Sequence, residues 1–338
     1  MDYVHYVLAV ATALTFFFAL REMPPIVRNT LIPSDHPVEK SLVWITDSYS
    51  TSAHELNKFL SEKAGYTVFV LQKQIARREA DGVTFIPLYE TTQVEFVVRH
   101  AAYFATSGTA APAAIKAAKQ MGRPCILWAE DESVAKLVPS YGMIAVITPT
   151  DWLRTRLGAA RSLTLPPLIK WSEFPVIPYH TKTTVAVFLS AETEKVWDLS
   201  YMAEQLPKIQ FVAYRPAVTG HVTIRANLRY EKIPYHRHKV WAQTRILLIP
   251  VAYPEALLHA TEAVQSGIPV LIDGAAHQLA EIVGPGGVTI PVSDVAAWVA
   301  VTDRLMTDAA AFETQARRRR APSQAVQTVL PFLEQLSR

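Results

Sequence analysis

Short apolar runs alternate with amphipathic segments of helix length along most of the chain. In the first half, LVWIT (42–46) and TVFVLQ (67–72) flank a segment with helical spacing. In the second half, RILLIPV (245–251) and IPVLID (268–273) flank another such segment, which ends at Gly267. Parallel strands need a crossover connection between them, so this β–α–β order predicts parallel sheets covered by helices on both faces.

The chain is long enough for two domains, because 338 residues exceed the usual size of one. The alternation is interrupted by a proline-rich stretch without clear periodicity. We therefore predict an N-terminal α/β domain over 41–165, an interdomain linker over 166–182 and a second α/β domain over 183–322. Two open sheets facing each other would form a cleft, and ligands of such folds bind at the carboxyl ends of the strands.

A long uncharged run at the start of the chain predicts a membrane anchor. Residues 3–20 (YVHYVLAVATALTFFFAL) would span about 27 Å as a helix, near the thickness of a hydrocarbon core. Arg21 ends the run, and Pro24 stops a continuing helix. The flanks do not fit a signal peptide, and a buried helix of a soluble fold is the other alternative. We expect a single transmembrane anchor within 1–28, followed by a polar linker over 29–40.

Charge patterning suggests the orientation and partners of this anchor. Arg21 and Arg28 follow the apolar run, which favours the large domain on the cytoplasm-like or matrix-like side, with the mitochondrial inner membrane as one location. The basic run 317–320 could bind anionic lipid or nucleic acid, although a solvated helix end or a contact with an acidic partner is the simpler interpretation. We expect contacts with membrane lipid through 3–20 and with protein subunits of a membrane complex, but not with nucleic acid.

Several classes of site are excluded by composition and motif. Cys125 is the single cysteine, so the chain can form neither an internal disulfide nor a cysteine-based zinc site. His54 lacks a second histidine four residues later, where Lys58 stands, so no metalloprotease motif exists. Glycine-rich nucleotide loops are also missing, and glycine makes up only 12 of 338 residues. No metal site is expected.

The second half carries an ordered set of residues that resembles a known family. Glu262-Ala263, Gly267 and Pro269-Val270 form the pattern Glu-Ala-x-x-x-Gly-x-Pro-Val, and Glu281-Ile282-Val283 precedes a glycine-rich turn. This pattern resembles the donor-sugar half of GT-B glycosyltransferases, most closely the retaining family-four type. Extended over roughly 42–336, the resemblance implies two Rossmann-like domains in the GT-B arrangement, preceded here by an N-terminal hydrophobic helix. It also implies a C-terminal helix over 323–338 that crosses back.

The resemblance implies which residues would bind a nucleotide-sugar donor. Glu262 takes the place of the carboxylate that binds the nucleotide ribose, and Lys195 that of a lysine near the diphosphate. Gly284, Gly286 and Gly287 take the place of the glycine-rich turn.

Candidate catalytic carboxylates match the family less well. In the family the first acidic residue lies eight positions before the second, where this chain has Pro254; Glu255 follows at a spacing of seven. Glu130 and Asp131 follow a middle strand of the first half, where the family carries a histidine, and could substitute for it.

Each of these residues also has a structural interpretation. Glu262 could be a solvated helix residue or a cap partner, and Lys195 could simply be solvated. Glu130 and Asp131 could be first-turn acids that interact with a helix dipole. The three glycines could be turn residues, and the sequence 236–238 (His-Arg-His) is expected in a surface loop rather than at a metal or phosphate site.

More of the family's site positions are changed in this chain than are clearly matched, which predicts a weakened active site. We expect a membrane-anchored, glycosyltransferase-like protein that is catalytically degenerate and acts as a structural or accessory subunit of a membrane assembly, of which a mitochondrial respiratory or ATP synthase type is one possibility. The alternative is an active, metal-independent glycosyltransferase that uses a nucleotide-sugar donor at a membrane surface. In neither case is a further cofactor required.

Overall fold

The structure is a computed structural model in which the chain divides into two compact units. The N-terminal unit comprises residues within Met1–Thr148, Leu157–Leu163 and Gln327–Arg338, and the C-terminal unit residues within Pro149–Arg156 and Thr164–Val326. The domain boundaries derived from the sequence remain predictions. The residues that the structure describes are 38–47, 49–73, 75–138, 144–176, 178–190, 193, 197–215, 225–234, 237–253, 255–317 and 325–336.

The predicted anchor within 1–28 lies outside the described residues, as does most of the linker over 29–40. In the part of the chain that is described, no helix combines the length and the apolar character that crossing a bilayer requires.

The N-terminal unit contains an eight-stranded sheet. Its strands are β1 (Ser41–Thr46), β2 (Thr67–Gln72), β3 (Arg78–Ala80), β4 (Val83–Pro87), β5 (Tyr103–Ser107), β6 (Cys125–Trp128), β7 (Ile144–Thr148) and β8 (Ser162–Thr164). They lie in the order β3-β4-β2-β1-β5-β6-β7-β8. The strands from β4 to β7 in this order run parallel, whereas β3 and β4 form an antiparallel hairpin. Asp81 and Gly82 both have positive φ at this hairpin, as a two-residue type I′ turn requires.

Helices cover both faces of this sheet, as the buried strands demand. Every residue of β1 is buried, the pattern of a strand covered on two sides. The first helix begins at Ser50, whose hydroxyl accepts from the amide of Ala53, and ends at Gly65 in the left-handed conformation. The helices in this part of the chain are α1 (Thr51–Ala64), α2 (Thr91–His100) and α3 (Ala111–Met121). The next helix, α4 (Asp151–Leu157), lies almost entirely in the C-terminal unit.

The C-terminal unit contains a six-stranded parallel sheet. Its strands are β9 (Thr184–Phe188), β10 (Gln210–Arg215), β11 (Leu228–Lys232), β12 (Thr244–Ile249), β13 (Val270–Asp273) and β14 (Gly287–Ile290). The order is β11-β10-β9-β12-β13-β14, and the paired strands all run parallel. The helices that follow along the chain are α5 (Leu199–Gln205), α6 (His238–Gln243), α7 (Ala256–Gln265), α8 (His277–Val283), α9 (Val295–Thr307) and α10 (Ala309–Arg317). The last helix, α11 (Val329–Leu336), belongs to the N-terminal unit.

Two apolar layers enclose the second sheet. One layer contains Phe188 at the end of β9 and Trp241 of α6, and the other contains Trp197 and Trp298 of α9. The predicted α/β architecture of two parallel-sheet domains is therefore confirmed. The prediction was possible because the spacing of the apolar residues indicates strands that are buried on both faces.

Glu281 attaches the start of α4 to α8 within the C-terminal unit. Its two carboxylate oxygens accept from the backbone amides of Asp151 at 2.7 Å and Trp152 at 3.0 Å. A carboxylate in this position compensates unsatisfied N–H groups at the start of a helix. Glu281, which belongs to the family-like pattern, thus has a structural task in this chain.

Candidate functional site

The strand order of the C-terminal sheet predicts where a ligand would bind. The chain starts in the middle of the sheet with β9, proceeds outward through β10 and β11, and then returns to β12 on the other side. Open α/β sheets bind ligands at the carboxyl ends of the strands on either side of such a reversal. The candidate site is therefore the carboxyl edge at Phe188 and Ile249, the last residues of β9 and β12.

Glu262 lies at this site but is occupied by neighbouring side chains. Its carboxylate, on α7, is only 1% exposed. The Arg237 guanidinium donates through Nε to both carboxylate oxygens at 2.9 Å and through Nη2 to Oε1 at 2.6 Å. Trp241, on α6, donates its indole N–H to Oε2 at 3.1 Å. Glu262 is thus neither a solvated helix residue nor a free ligand contact, but the acceptor of a buried ion pair.

The ionisation of this pair follows from burial and from the hydrogen bonds. Burial raises the pKa of Glu262, and the donors Arg237 and Trp241 act in the opposite direction. Burial alone would lower the pKa of Arg237, but the hydrogen bonds and charge of Glu262 outweigh it and raise the pKa. The guanidinium consequently stays charged, and its bidentate contact is of the strong, charge-assisted kind.

His259 is a second buried polar group on α7. The side chain is 0% exposed, and its ring packs on Phe188 with centroids 4.0 Å apart. Nδ1 forms a hydrogen bond with the Tyr253 hydroxyl at 2.8 Å. Burial, helped by the charge of Arg237, lowers the pKa of His259 to about 3, so the imidazole is neutral at physiological pH.

Glu255 is the exposed carboxylate of the site. It occupies the cap position before α7, where its side chain, 65% exposed, makes no capping hydrogen bond in the described chain. One carboxylate oxygen lies 3.7 Å from Nε2 of His259, which has no hydrogen-bond partner among the described residues. Glu255, at the cap of α7, and Glu262, within α7, therefore lie in opposite environments, one in solvent and one in an ion pair.

The glycine-rich turn lies at the other edge of this sheet. Gly284, Pro285 and Gly286 form a short 3-10 turn, and Gly287 opens β14. A turn that leads into a strand lies at the amino end of that strand, whereas Glu255, which starts α7 after β12, lies at the carboxyl edge. Gln315 donates to the carbonyl oxygens of Pro285 and Gly287, so the turn holds α10. The structure does not bring the three glycines together with the candidate site.

The other predicted residues lie elsewhere. Asp131 caps a 3-10 turn in the N-terminal unit by accepting from the amide of Ser133 at 2.7 Å. Glu130 directly precedes it, exposed, at the carboxyl end of β6. Asp131 therefore has a structural role as a cap residue, one position before the first turn in which the structural interpretation put it. Lys195 and Pro254 lie outside the described residues.

Arg237, Trp241 and His259 are the residues that sequence reasoning missed. The sequence predicts a surface loop around Arg237, yet the Arg237 side chain contacts Glu262, 25 positions further along the chain. The contact depends on the packing of α6 next to α7, and no short-range spacing reports such packing. The available signal in the sequence is an arginine and a tryptophan four residues apart, 25 and 21 positions before Glu262.

The N-terminal sheet has a corresponding edge where its strand order reverses between β1 and β5. The hydroxyl groups of Thr46 and Ser107, which end these strands, lie 2.9 Å apart. Asp47 accepts from the Thr109 hydroxyl. Gly108, between them, has φ +63°, and a Cβ there would lie 2.6 Å from an Asp47 oxygen. Only glycine fits at this position without displacing Asp47.

Comparison with known proteins identifies the fold. No protein-family model and no curated protein sequence matches the chain. Among solved structures, sucrose-phosphate synthase from Thermosynechococcus elongatus is 13% identical, with a TM-score of 0.65 over 88% of this chain and 96% of that one. HepE from Anabaena, in complex with UDP-glucose, is 12% identical, with a TM-score of 0.61 over 88% and 98%. WaaG, a glycosyltransferase involved in lipopolysaccharide biosynthesis, is 13% identical, with a TM-score of 0.53 over 83% and 94%.

These neighbours are GT-B glycosyltransferases, and identities of 12–13% establish likeness of fold alone. Two Rossmann-like parallel sheets are also present, one in each unit. The GT-B resemblance predicted from the sequence is thus confirmed, and the chain has the GT-B glycosyltransferase fold.

Proposed function

We propose that this chain is a catalytically inactive relative of the GT-B glycosyltransferases. It keeps a nucleotide-binding edge on its C-terminal sheet but does not transfer sugar. The observation that carries the proposal is the state of Glu262, 1% exposed and engaged in four hydrogen bonds. In the family that the sequence resembles, the carboxylate at this place binds the nucleotide ribose.

The energetics favour the ion pair over a ribose contact. A carboxylate has about four acceptor positions, and Arg237 and Trp241 occupy them. Withdrawing Glu262 would leave the partly buried Arg237 without its partner, at a cost of up to roughly 3–5 kcal/mol. A typical hydrogen bond with a ribose hydroxyl contributes only about 0.5–1.5 kcal/mol. The ligand contact therefore does not offset the loss of the pair.

A nucleotide-binding edge nevertheless remains. The reversal of strand order between β9 and β12 creates a crevice of the kind that binds nucleotides in α/β folds. HepE, which has the same fold, is known in complex with UDP-glucose. These observations support a nucleotide or nucleotide-sugar as the ligand of this edge.

A catalytically inactive relative is expected to bind a nucleotide without turning over a nucleotide-sugar. We expect that the full-length protein binds at least one of UDP, ADP and GDP in calorimetric titrations. It should release no nucleoside diphosphate from the corresponding nucleotide-glucose above the rate without protein, because Glu262 cannot reach the donor. Catalysed release that a Glu255→Gln substitution abolishes and a Glu204→Gln substitution leaves intact would contradict the proposal.

That contrary outcome would establish the second candidate, an active glycosyltransferase. One observation favours it: Glu255 keeps its carboxylate in solvent beside the neutral His259, at the carboxyl edge of the sheet. Glu204, in an exposed pair with Arg225 in the same unit, is the matched control because it lies away from this edge, on α5. The rate at which the protein releases nucleoside diphosphate from a nucleotide-glucose thus distinguishes the two candidate functions.

We further propose, from the sequence alone, that the anchor within 1–28 holds the protein in a membrane assembly. Deleting these residues should leave far-UV circular dichroism of a folded α/β protein and release it from membranes without detergent, because the hydrophobic run would be gone. Recovery of the intact chain from native membranes as a free monomer in mild detergent would contradict the accessory role.

A further inference from the structure

The contact between Arg237 and Glu262 leaves part of the guanidinium unused. Glu262 takes the Nε and Nη2 positions, and Nη1 has no hydrogen-bond partner among the described residues. The Arg237 side chain is 21% exposed, whereas Glu262 is 1% exposed. The buried end of the pair is therefore the carboxylate, and the accessible end is the guanidinium.

The position of Arg237 brings this accessible end to the ligand-binding edge. Arg237 precedes α6, in the connection that follows the carboxyl end of β11. A guanidinium is planar, so a bidentate contact on one side determines the direction of the N–H groups on the other. Held by Glu262 at the back, Arg237 offers the Nη1 donors in a single orientation, as a residue that recognises a ligand must.

We propose that Arg237 recognises the nucleoside part of a bound nucleotide and that Glu262 is the positioning residue that orients its guanidinium. The inference rests on the proposed function and gives Glu262 a role different from the one that the family resemblance implies. Glu262 would support the contact from behind instead of touching the ribose, and Arg237 would donate hydrogen bonds to it.

The charges at the site favour a neutral group over a phosphate. The charge of Arg237 is balanced by Glu262, and Glu255 adds a second carboxylate close enough to act on both members of the pair. His259 is neutral, so it does not compensate this charge. Two carboxylates and one guanidinium leave a net negative charge, which repels an anion. A base carbonyl or ribose hydroxyl accepts from Nη1 without this repulsion.

A double substitution separates recognition from structure. Arg237→Met with Glu262→Gln removes both charges together, and the glutamine oxygen can still accept from Trp241. Replacing both members of a buried pair by uncharged groups of similar size is often tolerated. The matched control is Arg225→Met with Glu204→Gln, an exposed pair with an N–O distance of 2.6 Å in the same unit. Titrations of full-length proteins would use UDP, ADP and GDP, the corresponding nucleosides, and inorganic phosphate.

The expected result is loss of nucleoside affinity in a folded protein. The double variant should bind the preferred nucleoside and its diphosphate at least about tenfold more weakly than wild type, as expected when donors on a charged group are lost. The control pair should not change these affinities. Unchanged binding in the double variant would overturn the inference and leave the proposed function intact, and loss confined to phosphate would overturn it in favour of an anion contact.

Two further outcomes are decisive. If the wild-type protein binds none of the nucleotides or nucleosides, both the inference and the proposed function fail. If the double variant does not fold, Arg237→Lys provides the test, because lysine keeps the positive charge beside Glu262 and lacks the planar fork. A folded Arg237→Lys protein with wild-type nucleoside affinity would overturn the inference, and weakening of at least about tenfold would support it.

Discussion

Replacing Glu262 by alanine is expected to lower the free energy of unfolding of the C-terminal unit by about 3–5 kcal/mol. The substitution leaves the charged Arg237 and the indole N–H of Trp241, which now share the Glu262 carboxylate, without their buried acceptor. Removing one partner of a buried pair costs far more than the pair itself contributes, because the other charge stays desolvated. Urea denaturation followed by circular dichroism and by tryptophan fluorescence measures this loss.

Two comparisons show whether burial is the cause. Glu204→Ala breaks an exposed pair with Arg225 and should cost no more than about 1 kcal/mol. Arg237→Met with Glu262→Gln should regain most of the stability that Glu262→Ala loses. If Glu262→Ala lowers the free energy of unfolding by less than about 1 kcal/mol, the carboxylate is free to bind a ligand. The proposal that the protein is catalytically inactive would then no longer be supported.

The stability of the C-terminal unit should increase between pH 8 and pH 10.5, and Lys182 is the reason. Its ammonium is 0% exposed and donates to the carbonyl oxygens of Ser266 at 3.0 Å and Gly267 at 3.2 Å, at the end of α7. Burial, with a smaller contribution from the charge of Arg245, lowers the pKa of Lys182 from 10.5 to about 8.

The sign follows from proton binding in the two states. Between these pH values the unfolded chain holds the Lys182 proton and the folded chain has released it, so raising the pH favours the folded state. At 1.36 kcal/mol per pKa unit, the gain amounts to at most about 3 kcal/mol. The measurement is the free energy of unfolding of the wild-type protein and of Lys182→Met across this range, since the difference between them isolates Lys182.

The exposed Lys208 supplies the control. Lys208→Met should follow the wild-type pH profile, whereas Lys182→Met should lack the Lys182 contribution. Parallel profiles for wild type and Lys182→Met would show that Lys182 keeps an ordinary pKa in the folded protein. The ammonium would then be solvated rather than buried at the end of α7.

The two edges of the C-terminal sheet thus carry cations with different tasks. At the amino edge, Lys182 caps α7, and Arg245 donates to the carbonyl oxygen of Met306 near the end of α9. Helix C-termini present unpaired carbonyl groups, which accept such donors. At the carboxyl edge, Arg237 is held by a carboxylate instead of by carbonyl groups, and its Nη1 stays accessible. Because Arg237 keeps an accessible donor at the carboxyl edge, we assign ligand recognition to it.

The amino-acid sequence by itself determined the fold class. The run LVWIT and its counterparts are apolar at most positions and do not alternate with polar residues, which indicates strands buried on two faces and therefore parallel sheets between helices. The pattern Glu-Ala-x-x-x-Gly-x-Pro-Val was sufficient to suggest the GT-B resemblance, because it combines the end of a helix with the start of the next strand. Local periodicity and turn chemistry carry this information within a few residues, so no knowledge of the partner segments is needed.

Only the tertiary structure decided what Glu262 does. The sequence of a helix that carries a glutamate does not show whether the side chain faces a ligand, solvent or another helix. Its partner Arg237 lies 25 positions away, and the two meet because α6 packs beside α7 at the carboxyl edge. The same limit applies to Gly284, Gly286 and Gly287, because their distance from the candidate site depends on where β14 lies in the sheet. Contacts between distant segments arise from packing of whole elements, and packing is a property of the folded chain rather than of any short stretch of it.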